Sequence, residues 1–222
     1  MLRRLRYLNV IVLSFCALVT SSCVNAEDFQ GTELTNQAKA HNFSLHDQYG
    51  RIITLKDLRG KVVALTFLYT YCTDICPVVT DRMKDVHSLL KDVKDDVVIV
   101  AVSIDSERDT QERTLEYSQS WNMEDKWSFL SGDEDELSTV WQSYFINPII
   151  GNRTDTHTGS TGPNTSTSTS VAAFRRSISS SYLIEHSAPV YLIDRDGKMR
   201  IIFTLPFKPE SLAHDIRLLL NR

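Results

Sequence analysis

From Lys61 to Tyr69 the chain is apolar almost without a break. A run of this kind is the pattern of a β-strand covered on both faces, and such a strand selects a layered α/β domain with helices against a central sheet. The run empties into Thr70-Tyr71-Cys72-Thr73-Asp74-Ile75-Cys76-Pro77. The strand is therefore expected to pass through a short polar loop into a helix entered at Cys76-Pro77, with both sulfurs at the helix N-terminus. There the unpaired amides and the helix dipole favour the thiolate, which is the form that binds metal and attacks disulfides.

The rest of the pattern alternates strand and helix. His41 to Leu55, centred on Asp47-Gln48-Tyr49-Gly50, reads as a β-hairpin. Val78, Met83, Val86, Leu89 and Leu90 recur at helical spacing after Pro77. Val97 to Ser103 is a second buried strand, Thr110 to about Trp121 a helix, Trp127 to Leu130 a short strand, and Asp133 to Trp141 a third helix. Pro189 to Ile193 and Met199 to Phe203, joined by Asp194-Arg195-Asp196-Gly197, form a hairpin, and Pro209 to Leu220 a closing amphipathic helix. This order, with cysteines after the first central strand, is the thioredoxin-like α/β arrangement: a central sheet flanked by helices, preceded by an N-terminal hairpin. Of 222 residues, 42% are hydrophobic, enough for one domain with a core that needs no covalent staple.

One segment stands outside that pattern. From Gly151 to about Ser181 serine, threonine, glycine and asparagine dominate, and large apolar residues are few. Such a composition cannot bury enough surface to offset ordering, so 151–181 reads as a low-complexity loop insertion in a domain spanning 41–222.

The N-terminus indicates the compartment. Arg3, Arg4 and Arg6 precede an apolar stretch from Tyr7 to about Val19, and small residues follow, as in a secretory signal over residues 1–26. Two processing routes are open. Val19-Thr20-Ser21-Ser22-Cys23 resembles a bacterial lipobox, with Cys23 as the lipidated residue, whereas Val24-Asn25-Ala26 fits cleavage before Glu27. An uncleaved anchor would leave the domain on the same outer side. In each case residues 27–40 serve as a tether, and the protein belongs at the extracytoplasmic, periplasmic face of the cytoplasmic membrane, lipid-anchored or secreted. Losing the three arginines takes the net charge from −4 to −7, which is not the balance of a nucleic-acid binder.

With Cys16 and Cys23 in or beside the signal, Cys72 and Cys76 are the cysteines of the folded domain. A disulfide between them would close a loop of only a few residues and remove little chain entropy, so the pair reads as a working site rather than a staple. His186, in Glu185-His186-Ser187, lies in the segment just before the last hairpin, and in this topology that segment is expected to pack beside the cysteine loop. Two thiolates and an imidazole make a soft, low-coordinate site suited to Cu(I) and acceptable to Cu(II) or zinc. The other histidines, His41, His46, His87, His157 and His214, are weaker candidates; His87 sits about three turns beyond the cysteines, too far to reach them. Asp74 is placed to tune thiolate basicity or to remain a solvated loop carboxylate, and Arg108 and Asp109 are expected to form a local ion pair at a helix start.

Thr70 to Pro77, Ser103-Ile104-Asp105-Ser106-Glu107-Arg108-Asp109-Thr110, and Glu185-His186-Ser187 followed by Tyr191 to Gly197 together resemble, in order, the three motifs of the Sco/SenC family. These are thioredoxin-like, membrane-anchored copper proteins that assist assembly of the CuA centre of cytochrome c oxidase. The resemblance runs from about Phe43 to the C-terminus and is interrupted by the insertion. It implies copper ligation by Cys72, Cys76 and His186, with Asp74 at an acidic position of the cysteine loop. Subunit II of the oxidase is the implied partner, or another copper or thiol protein. It equally implies a thiol-disulfide oxidoreductase in which Cys72 and Cys76 are catalytic and cycle through a disulfide. Thr73 and Ser106 stand where the family often has proline, and neither change removes a ligand.

Overall fold

In the computed structural model, which describes residues 28–151, 183–185 and 187–222, the central apolar run is a strand with every residue from Val62 to Leu68 buried. In chain order the elements are β1 (Thr32–Glu33), β2 (Ser44–His46), β3 (Ile52–Thr54), β4 (Val62–Leu68), α1 (Ile75–Leu89), β5 (Val97–Ser103), α2 (Gln111–Ser120), β6 (Ser128–Leu130), α3 (Glu134–Ser143), β7 (Ile149–Gly151), β8 (Leu183–Glu185), β9 (Val190–Ile193), β10 (Met199–Phe203) and α4 (Pro209–Leu220). Cys23, the insertion from position 152 to 182, and His186 lie outside the described residues.

The main sheet has the order β1-β10-β9-β4-β5-β6. β4 pairs in parallel with β5, and β5 with β6, because α1 and α2 supply the crossovers that parallel strands require. β9 runs antiparallel to β4 and hairpins into β10 through the turn at Gly197, whose φ of 71° a side chain would strain. This is the expected thioredoxin-like α/β arrangement. α1 buries Cys76, Val79, Met83 and Val86, α4 buries Leu212, Ala213, Ile216 and Leu219, and the two helices pack on each other. Each large apolar side chain so buried contributes about 2 kcal/mol before entropy is counted. Beyond α3, Tyr144 packs on Phe67 of β4 and on Tyr191 of β9, with ring centroids 5.6 and 5.5 Å apart.

Helix ends follow local chemistry. The Thr110 hydroxyl accepts from Arg113 N–H at the start of α2, and Asp133 and Glu136 form a reciprocal capping box on α3. α4 opens on Pro209, whose missing N–H costs nothing at a helix start.

Three features are not anticipated by the sequence pattern. The segment expected as a tether is held onto the domain from Gln30 onward, with β1 paired to β10 and Lys39 bridged to Lys198. In the N-terminal hairpin, Gln48 is fully buried. Its amide donates to Glu124 O and Trp127 O at 2.9 and 3.0 Å and accepts from Phe129 N–H at 2.8 Å, supplying β6 with the partners a neighbouring strand would give. Finally, β7 and β8 pair antiparallel and close the base of the insertion.

Candidate metal and thiol site

Beyond β4, Ile104 N–H donates to Leu68 O at 3.0 Å, so the β4–β5 pairing extends to the point where the cysteine loop leaves the sheet. A turn follows in which Cys72 N–H donates to Tyr69 O at 3.3 Å. α1 begins at Ile75, one residue before the expected entry at Cys76-Pro77, and Cys76 lies inside its first turn. Asp74 occupies the cap position, yet its side chain makes no capping hydrogen bond and is exposed. Cys72 Sγ takes that role instead, accepting Cys76 N–H at 3.4 Å.

The two cysteines are buried, Cys72 8% and Cys76 0% exposed, and are not joined by a disulfide in this structure. The expectation that the helix dipole makes both sulfurs thiolate-prone fails at Cys76. Burial pushes its thiol well above the ordinary range, and the hydrogen bond and charge of Cys72 push the same way. A helix terminus contributes at most about 2 kcal/mol to an anion, while desolvating an ion costs several. Burial wins at Cys76.

Tyr69, only 2% exposed, underlies the loop. Its hydroxyl accepts from Ile184 N–H of β8 at 3.1 Å and hydrogen-bonds the Cys72 side chain. Burial holds its phenol in the neutral form, with its pKa pushed up to about 12. The Arg108 guanidinium stands 5.8 Å from the Tyr69 ring and 4.8 Å from that of Tyr71, and Arg113 stands 4.9 Å from Tyr71. Cation–π contacts thus brace both tyrosines of the loop.

Arg108 and Asp109 do not pair with each other. Arg108 bonds Asp105, with both side chains buried, as residues three apart in a turn can. Asp109 faces the other way, 3% exposed, and accepts from Thr70 Oγ1 at 2.7 Å, Thr70 N–H at 3.1 Å and Ser103 Oγ at 2.6 Å. It ties the C-terminal ends of β4 and β5 together beneath the cysteine loop. Burial raises its carboxyl to about 6 despite the hydrogen bonds from Ser103 and Thr70, which act to lower it. No local pattern marks Asp109 or Tyr69 for these roles.

Among the other histidines, His214 bonds Asp215 through Nδ1, His41 accepts the Tyr144 hydroxyl on its carbonyl, His46 lies in β2 and His87 in α1; His157 lies outside the described residues. Among the described residues no three His, Cys, Asp or Glu side chains form a metal cluster. Two soft sulfur donors side by side and shielded from water suit copper, and β8 ends one residue before His186.

The family model described as SCO1/SenC matches residues 31–157. A SCO2-like protein of Rickettsia typhi is 28% identical over 175 residues, which are 79% of this chain and 74% of the relative. Two solved structures share the fold. ScoI of Bradyrhizobium japonicum with copper bound has a TM-score of 0.64 and 29% identity, over 81% of this chain and 98% of that one. ScoI of Arabidopsis thaliana with copper bound has a TM-score of 0.65 and 26% identity, over 83% and 100%.

Proposed function

Because the chain belongs to the SCO1/SenC family, we propose that it carries copper on Cys72, Cys76 and His186 and delivers it to the CuA centre of cytochrome c oxidase subunit II. The observation that supports this most is the pair of adjacent buried thiols, one of them capping a helix amide with its sulfur. Copper here is cargo. Its arrival displaces the thiol protons, so uptake releases protons and strengthens as pH rises. A site of only two sulfurs and one imidazole leaves room for an incoming ligand of the acceptor to add before an old one departs. Copper bound to the similar ScoI proteins agrees with this cargo. The N-terminal residues, through a lipid on Cys23 or as a cleaved signal, would set the domain at the extracytoplasmic face of the membrane.

Thiol-disulfide exchange is the competing role. The burial of Cys76 argues against its being the attacking thiol, which leaves Cys72 as the one able to attack. Anaerobic copper titration with X-ray absorption separates the two. Reduced protein should take one copper with two sulfur scatterers and one nitrogen, and the Cys72→Ser, Cys76→Ser double variant should take none. His186→Ala should lose most copper retention yet reduce a model disulfide at a comparable rate. Collapse of disulfide reduction with copper binding intact would overturn the copper-carrier assignment.

A further inference from the structure

β8 is three residues long, and its described partner strand, β7, is equally short. A two-stranded ladder of that size is marginal by itself. In an antiparallel ladder alternate residues direct their N–H away from the partner strand. Ile184, the middle residue of β8, spends that outward N–H on the Tyr69 hydroxyl at 3.1 Å, across 115 residues of sequence. The same hydroxyl meets the Cys72 side chain, and the Tyr69 backbone carbonyl accepts Cys72 N–H. Tyr69 itself cannot drift, since it is buried and lies against the Arg108 guanidinium.

We infer that the Tyr69 hydroxyl is a positioning group that ties the cysteine loop to β8, the strand that ends one residue before His186, and that copper retention depends on this tie. The inference rests on the ligand reading proposed above. A phenol suits the task because it accepts from the strand amide while keeping its own proton for the sulfur. Phenylalanine would keep the ring and leave the Ile184 N–H without its acceptor.

The test uses the full chain and four variants: Tyr69→Phe, His186→Ala, their combination, and Ile184→Pro, which removes the donor while leaving the tyrosine in place. In metal-free protein, Tyr69→Phe should lower hydrogen-exchange protection at Ile184 and leave the β4 and β5 amides unchanged. Copper retention should fall by about two- to tenfold, the range of one hydrogen bond. Added to His186→Ala, Tyr69→Phe should cost little further, because a positioning group has nothing left to position once the ligand is gone. Ile184→Pro should reproduce the copper effect and serves as the deciding variant if Tyr69→Phe does not fold. Unchanged Ile184 protection in Tyr69→Phe, or additive losses in the combination, would overturn the coupling while leaving the ligand set intact. Unchanged copper retention in His186→Ala alone would instead overturn the ligand set, and the coupling with it.

Discussion

Asp109 carries its carboxylate where water does not reach, and hydrogen bonds from Thr70 and Ser103 offset only part of the cost of ionising it there. With its carboxyl at about 6 against an ordinary 3.8, the folded state binds a proton more readily than the unfolded chain. The sign follows from linkage. This contribution to stability is fully present below the ordinary carboxylate range and is lost as pH rises through about 6. A shift of about two units corresponds to roughly 3 kcal/mol at most. Asp109→Asn keeps an acceptor for Thr70, and the Ser103 hydroxyl can turn to accept from the new amide. Calorimetric midpoints of the variant between pH 4 and 7 should therefore show a flatter profile than the parent, and a slope as steep as the parent's would assign the pH dependence to other groups. Cys76 makes the same point with a different group: the helix dipole favours its anion, burial opposes it, and the larger effect pushes its thiol up.

β1 is a two-residue strand on an exposed edge, and propensity alone would not hold it. Its anchor is Asp215 of α4, fully buried, whose carboxylate accepts Gln30 N–H at 2.9 Å and Gly31 N–H at 2.8 Å. Gly31 fits because a Cβ there would come within 2.5 Å of Ile201 Cγ2. Leu34 N–H donating to Arg200 O extends the pairing, and β10 is thereby spared an open edge. Asp215→Ala should cost about 1–3 kcal/mol by leaving two amides without their acceptor, and exchange should quicken at the β1 amides and at Leu34 first. A variant that loses stability without faster exchange there would show that Asp215 acts through α4 and not through the strand.

Across the whole molecule the long insertion is joined to the domain by β7 and β8, which pair directly at its two ends. Chain closure is thus secured by the ladder at its base, and the entropy of a closed loop changes only slowly with its length. Replacing residues 152–179 with a short Gly/Ser linker should shift stability by less than about 1 kcal/mol. Copper stoichiometry should be unchanged. A larger loss, read from denaturant midpoints, would show the segment packing on the domain, and a normal midpoint with altered copper transfer would assign it to partner docking.

The succession of strands and helices from β2 to α3 and from β9 to α4, the β9–β10 hairpin, the helix starts near Thr110 and Asp133, and the placing of Cys72 and Cys76 where β4 gives way to α1 were legible in the sequence, whereas β1, β7 and β8 were not. Apolar period, caps and turns act between residues a few positions apart, and a linear pattern carries them. Burial and long-range hydrogen bonds have no such local mark. That Cys76 keeps its proton, that Asp109 bonds Thr70 across 39 positions and not its neighbour Arg108, that Gln48 completes the partners of β6, and that Tyr69 meets Ile184 were decided by what the fold packs around each group. Desolvation and hydrogen-bond partnership depend on surroundings assembled from distant segments, and those surroundings exist only once the sheet and its helices have come together.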